Sequence, residues 1–145
     1  MRILRMAAAY VAAVITAFTA GSAFYTQQVL AKQAEIGAVY TPAQQAQTYL
    51  ENFIGLAPAY GLMLAIALLI GFIVAAGVKR ILTPLAPIAY PLAGAAAVFT
   101  LIWAIETFVA SGGVGAIGGA RDAMGVALQM LAGCFGGIVF AVARG

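Results

Sequence analysis

Residues 52–78 read NFIGLAPAYGLMLAIALLIGFIVAAGV, a run of 27 residues without a charged side chain. Three further uncharged runs cover residues 6–31, 81–105 and 123–143. An α-helix rises about 1.5 Å per residue, so roughly 20 apolar residues cross the hydrocarbon core of a membrane. Each run is long enough for one crossing, and a mean hydropathy of +1.07 agrees. The sequence therefore predicts an all-α integral membrane protein.

We predict a single membrane domain over residues 1–145, built as a bundle of four transmembrane helices. The expected spans are residues 3–25, 57–78, 84–110 and 120–143, with an outer polar segment at residues 26–56. The first span is similar to a secretory signal in its basic start and its small residues near the far end. Its apolar part is long for a signal, so we expect a retained anchor helix that continues into water to about residue 38.

The outer polar segment contains a helix start at Thr41. Thr41 is suited to the N-cap, Pro42 to the first helical position, and Gln44 to the closing of a capping box. Apolar residues then fall at helical spacing on one side, and most of the glutamines fall on the other: the apolar set is Ala46, Tyr49, Leu50, Phe53 and Ile54. The pattern predicts a short amphipathic helix in the first outer loop, lying at the membrane surface or capping the bundle.

Three prolines open the third span at Pro84, Pro87 and Pro91. We expect Pro91 to lie inside the helix, where it removes the hydrogen bond to the Pro87 carbonyl and kinks the helix. A structural kink is favoured over a moving hinge. Before the fourth span, five glycines within residues 112–119 predict a flexible connector, since no phosphate-loop spacing accompanies them.

Four small residues and one Gln recur every four positions in the fourth span and form a narrow stripe: Gly125, Gln129, Gly133, Gly137 and Ala141. Such a stripe lets two helices approach closely in lipid, and the first span offers a partner stripe at Ala9, Ala13, Ala17 and Gly21. Packing inside one bundle is favoured over contact with another chain. Gln129 is the polar residue nearest the middle of the membrane, so its amide is expected to face another helix.

The charged residues indicate an orientation. With a cytoplasmic N-terminus, the inner side holds five basic residues and no acid: Arg2, Arg5, Lys79, Arg80 and Arg144. The outer side then holds Lys32, Arg121 and all four acids, which is the usual positive-inside bias. We expect a multi-pass protein of the bacterial inner membrane with both termini cytoplasmic. In this frame Tyr60 is among the aromatic residues predicted at the outer interface.

Glu106 comes near the end of the third span, and Arg121 opens the fourth. Because a short connector joins these span ends, an ion pair at the outer interface is the favoured interpretation. The alternative is a proton or substrate path through Glu106, since charge within a membrane often marks function.

Composition excludes several kinds of chemistry. The chain has no His, which removes the commonest general base and the usual axial haem ligand. It has a single Cys, Cys134, so neither an internal disulfide nor a multi-thiolate metal site can form. We therefore expect no catalytic residue, no metal and no cofactor. The seven basic residues form no contiguous patch along the chain, which argues against nucleic acid as a partner.

The favoured function is that of a non-enzymatic accessory or structural subunit. It would pack by helix–helix contacts in a larger membrane complex or in a homo-oligomer, surrounded by membrane lipids. The alternative is a small transporter or channel that uses Glu106 and Gln129. A lipid- or quinone-handling membrane protein is the third hypothesis.

Overall fold

The computed structural model describes residues 1–109 and 120–145, and the regular structure within these residues is entirely helical. Its α-helices are α1 (Arg2–Glu35), α2 (Pro42–Leu56), α3 (Leu62–Ile81), α4 (Ala89–Ala104) and α5 (Ala123–Arg144). Four helical segments are long and apolar enough to cross a membrane, consistent with a multi-pass helical membrane protein: Arg2–Glu35, Pro42–Ile81, Ala89–Val109 and Ala123–Arg144. The predicted glycine-rich connector lies outside the described residues.

Helices α1, α3, α4 and α5 run alternately up and down. Arg5 donates from Nε to the Ala143 carbonyl oxygen at 3.3 Å, so the beginning of α1 lies beside the end of α5. At the opposite end, Lys32 Nζ lies 3.0 Å from Asp122 Oδ2. Helix α5 packs between α1 and α4, and α3 packs against α4. Both chain ends therefore lie at the same end of the bundle.

The two ends of the bundle differ in charge. The end that carries both chain ends, here named the basic end, holds five basic residues: Arg2, Arg5, Lys79, Arg80 and Arg144. The opposite end, here named the acidic end, holds all four acids together with Lys32 and Arg121: the acids are Glu35, Glu51, Glu106 and Asp122. The separation of charge predicted from the sequence is therefore present in the fold.

Helix α2 forms with the predicted cap. The Thr41 hydroxyl oxygen accepts from the Gln44 backbone N–H at 3.3 Å, and Gln44 Oε1 accepts from the Thr41 N–H at 2.9 Å. However, α2 is not a separate surface helix. It continues through a π-helical turn, Ala57–Gly61, into α3, so that Pro42–Ile81 is one segment of 40 residues. The Phe53 ring meets the Phe18 ring of α1 at 4.9 Å between centroids, and α2 thus extends the second span alongside α1.

The predicted kink at Pro91 is wrong. Helix α4 begins at Ala89, after a 3-10 turn at Thr83–Leu85, so Pro91 lies in the first helical turn and Pro87 precedes the helix. The first backbone N–H groups of a helix have no intrahelical acceptor, and Pro91 therefore removes no hydrogen bond. The proline inside a long helix is Pro58, which lies in the π-helical turn between α2 and α3.

Three aromatic rings fill the bundle interior toward the basic end. Phe72 of α3 stacks on Phe140 of α5 with 4.5 Å between centroids. Tyr90 of α4 meets Phe140 edge to face at 5.0 Å and Phe72 at 5.9 Å. Edge-to-face and offset stacked pairs of this kind stabilise beyond the area that they bury. The cluster therefore joins α3, α4 and α5 at this level.

Candidate functional site

Gln129 of α5 is buried in the middle of the bundle, with 1% of its surface exposed. Its Nε2 donates to the Gly21 carbonyl oxygen of α1 at 2.9 Å. Its Oε1 accepts from the Tyr60 hydroxyl at 2.8 Å. The amide is thus hydrogen-bonded at both ends, and it joins α5 to α1 and to the turn between α2 and α3. We name Gln129, Tyr60 and Gly21 the amide clamp.

Tyr60 owes its position to the π-helical turn Ala57–Gly61. Pro58 has no N–H and cannot continue the regular hydrogen-bond ladder of the helix. A π-helical turn inserts one residue into an α-helix and rotates the positions that follow. Tyr60 is 6% exposed, so its side chain faces the interior of the bundle and not the surrounding lipid, while its predicted depth near the outer interface stays a prediction.

Gly21 leaves the space that the Gln129 amide occupies. A Cβ at Gly21 would lie 2.9 Å from Gln129 Oε1 and 3.6 Å from the Tyr60 hydroxyl oxygen. Side-chain carbon atoms rarely come so close to oxygen, so any larger residue would displace the amide. The glycine at the end of the predicted α1 stripe therefore serves the clamp directly.

A second polar group lies between the clamp and the acidic end. Thr26 is fully buried, and its hydroxyl donates to the Ser22 carbonyl oxygen at 3.0 Å. Thr26 Oγ1 in turn accepts from Asn52 Nδ2 of α2 at 3.1 Å. Because buried polar groups are costly unless they are paired, the bond from Asn52 holds α2 against α1 in a defined register.

Asp122 is a third polar group, beyond Thr26 at the acidic end of the bundle. Its side chain caps α5 by accepting from the Gly125 N–H at 2.7 Å. That backbone hydrogen bond, followed by the Lys32 ammonium at 3.0 Å, holds the pKa of Asp122 below its usual range. Lys32 lies in the last turn of α1, so its ion pair with Asp122 also ties the far end of α1 to the start of α5.

The small-residue stripe of α5 is divided between two helices. Gly133 and Gly137 face α4, since a Cβ at Gly133 would overlap the Gly94 carbonyl oxygen and one at Gly137 would overlap the Tyr90 carbonyl oxygen. Gln129 of the same stripe contacts Gly21 of α1, and the rest of the predicted α1 stripe meets Gly136, where a Cβ would lie 2.9 Å from the Ala13 carbonyl oxygen. Gly125 is also buried, whereas Ala141 is partly exposed.

The structure does not bring Glu106 to Gln129. Glu106 lies in a π-helical turn, Ile105–Val109, at the acidic end of α4 and is partly exposed. The described hydrogen bonds of Gln129 go to α1 and to the α2–α3 turn. The ion pair of Glu106 with Arg121 stays a prediction.

A neutral amide, a phenol and a backbone carbonyl can position one another, but they supply neither a nucleophile nor a strong base. Within residues 1–109 and 120–145, no three His, Cys, Asp or Glu side chains cluster as metal ligands would.

Comparison with known protein families, with curated proteins and with solved structures finds no match to this chain. The amide clamp is therefore the strongest local guide to function.

Proposed function

We propose that this chain is a non-enzymatic small integral membrane protein that acts as an accessory or structural subunit. It would pack by helix–helix contacts in a larger membrane complex or in a homo-oligomer. The observation that supports this most is the state of Gln129, which is 1% exposed and hydrogen-bonded at both ends of its amide. A polar side chain on a transport path faces a water-filled cavity. Gln129 instead holds the helices together.

The outer face of α3 and α4 also supports a role that depends on contacts within the membrane. An apolar groove of about 440 Å³ lies between the two helices on the surface of the bundle. Its floor includes small residues, which let neighbouring membrane helices approach closely. These residues are Ala67, Gly71, Ala93, Ala96 and Ala97.

Purification of the tagged protein in mild detergent tests this proposal. We expect mass analysis of the eluate to find either a larger membrane protein in fixed stoichiometry or a defined homo-oligomer without solute flux. The transporter hypothesis makes a different prediction, namely flux in reconstituted vesicles that disappears in Glu106→Gln. Glu51→Gln is the matched control, because Glu51 is an exposed acid of α2 at the same end. Flux lost only in Glu106→Gln would contradict the subunit role.

We propose further that the protein lies in a bacterial inner membrane with both termini in the cytoplasm. Support comes from the basic end, where five basic residues accompany both chain ends and no acid is present. Basic residues near span ends are retained on the cytoplasmic side. The acidic end, with the turn between α1 and α2, would then face outward.

Reporter fusions test this orientation. A fluorescent protein that matures in the cytoplasm should be active after Arg144, and a phosphatase that folds outside should be active when inserted at residues 37–40. A fusion at Leu82, between α3 and α4, is the internal control and should report the same side as Arg144. An outside signal after Arg144 would overturn the orientation.

A further inference from the structure

Tyr90 is a buried polar residue whose hydrogen bonding is incomplete. Its side chain is 3% exposed within the aromatic cluster of Phe72 and Phe140, and its hydroxyl has no hydrogen-bond partner among the described residues. A buried hydroxyl without a partner costs free energy, so such a group calls for an explanation. The amide clamp does not involve Tyr90, which lies at the basic end.

Two cations surround the Tyr90 ring. Lys79 Nζ lies 5.3 Å from the ring centroid, and Arg144 Cζ lies 5.2 Å from it. Cation–π contact accounts for part of this arrangement. It pairs neither cation with an acidic side chain, because all four Asp and Glu residues of the chain belong to the acidic end. The basic end thus gathers five basic side chains and no acidic side chain.

Two cavities meet at the same place. An apolar crevice of about 410 Å³ lies between α1 and α3, and its walls include Leu69, Ile73 and Tyr90. A more polar cavity of about 450 Å³ lies at the end of the bundle beside Arg2 and Arg5. Both cavities are lined by Met6 and Arg144, so the apolar crevice adjoins the basic cavity.

We propose that this composite cavity binds one anionic phospholipid. The phosphate would lie against Arg144, which lines both cavities, and an acyl chain would fill the crevice along Leu69 and Ile73. Charge complementarity selects this occupant, since basic pockets between membrane helices bind anionic lipid headgroups. Tyr90 is one of the residues that line the crevice, and its unpartnered hydroxyl would donate to a lipid oxygen once the lipid is bound. This proposal does not depend on the subunit role.

Lipid retention tests the proposal directly. The full chain is reconstituted in bilayers of phosphatidylcholine mixed with phosphatidylglycerol, extracted gently, and analysed by native mass spectrometry. We expect one phosphatidylglycerol to be retained in preference to phosphatidylcholine. Arg144→Gln should weaken this retention about fivefold, the effect of one basic residue at an anionic lipid surface. Arg80→Gln is the matched control, because Arg80 neighbours Lys79 but is exposed and lines neither cavity.

Two further variants separate binding from folding. Tyr90→Phe removes only an unpartnered hydroxyl, so its melting temperature in detergent alone should not fall, while its stabilisation by added phosphatidylglycerol should be smaller than in the native chain. Ala76→Leu fills part of the crevice and should also reduce lipid retention without changing any charge.

Three results would overturn the proposal. The first is equal retention of phosphatidylcholine and phosphatidylglycerol. The second is an equal loss in Arg144→Gln and Arg80→Gln, which would indicate general surface attraction. The third is stabilisation by inorganic phosphate that matches stabilisation by phosphatidylglycerol, because the cavity would then bind an anion without its acyl chains.

Discussion

Replacing Gly133 or Gly137 by leucine is expected to destabilise the bundle by about 3 kcal/mol or more, or to prevent its assembly. The added side chain would overlap neighbouring atoms that cannot move away. Even a Cβ at these positions would overlap a carbonyl oxygen of α4, that of Gly94 or that of Tyr90. Backbone atoms cannot swing aside as a flexible side chain can. Helices α4 and α5 would have to separate.

Thermal unfolding in detergent measures this effect, and Gly77→Leu is the control. Gly77 lies on the exposed side of α3, and no atom lies within 4 Å of a Cβ placed there. The control should keep nearly native stability. If Gly133→Leu and Gly137→Leu unfold at the same temperature as Gly77→Leu, the stripe does not pack against α4.

Replacing Gln129 by leucine is expected to cost about 2 kcal/mol. It removes the hydrogen bonds to the Gly21 carbonyl and from the Tyr60 hydroxyl, and such bonds in membranes contribute roughly 0.6–2 kcal/mol each. A leucine also leaves the Tyr60 hydroxyl buried without a partner. The expected loss is therefore larger than that of an exposed polar residue such as Gln47 in Gln47→Leu.

A double-mutant cycle makes this prediction specific. Tyr60→Phe alone should destabilise, but adding it to Gln129→Leu should cost little or restore some stability, because the orphaned hydroxyl is then gone. Additive losses would mean that the two side chains do not interact. Native stability in Gln129→Leu would mean that the amide clamp contributes nothing to folding.

The number of spans could be predicted because crossing a membrane is a local requirement on chain length and polarity. Each of the four uncharged runs corresponds to one spanning helix. The ends of the helices were harder to place, since α4 begins at Ala89 and not at the predicted residue 84. Helix α1 ends at Glu35, close to the predicted residue 38, and its polar residues pack against α2, as Thr26 does through Asn52.

Only one member of the amide clamp could be predicted from the sequence. Gln129 is a polar residue within an apolar run, so it was expected to need a hydrogen-bond partner. Its partner Tyr60 lies 69 residues away in the chain, and no local pattern connects the two. A signal for the burial of Tyr60 was present, since buried residues recur every four positions after it at Leu64, Leu68 and Phe72. That spacing marks the face of the helix that points into the bundle.

The partner of the α5 stripe could not be derived from spacing. Small residues occur on both α1 and α4. A stripe of small residues predicts that another helix packs closely against it, but it does not identify that helix. Gly94 of α4, which Gly133 contacts, was a single glycine among alanines in the sequence. The choice between α1 and α4 depends on how all four helices pack at once.

The separation of charge along the bundle makes the molecule an electric dipole parallel to the membrane normal. Five positive charges lie at one end, while the other end carries a net charge of −2 from two basic and four acidic residues. A membrane voltage acts on each charge moved across it with roughly 2.3 kcal/mol per 100 mV. In an energised membrane that is negative inside, the field therefore favours the orientation with the basic end inward. This electrostatic contribution to the orientation vanishes when the voltage collapses, although every packing contact remains.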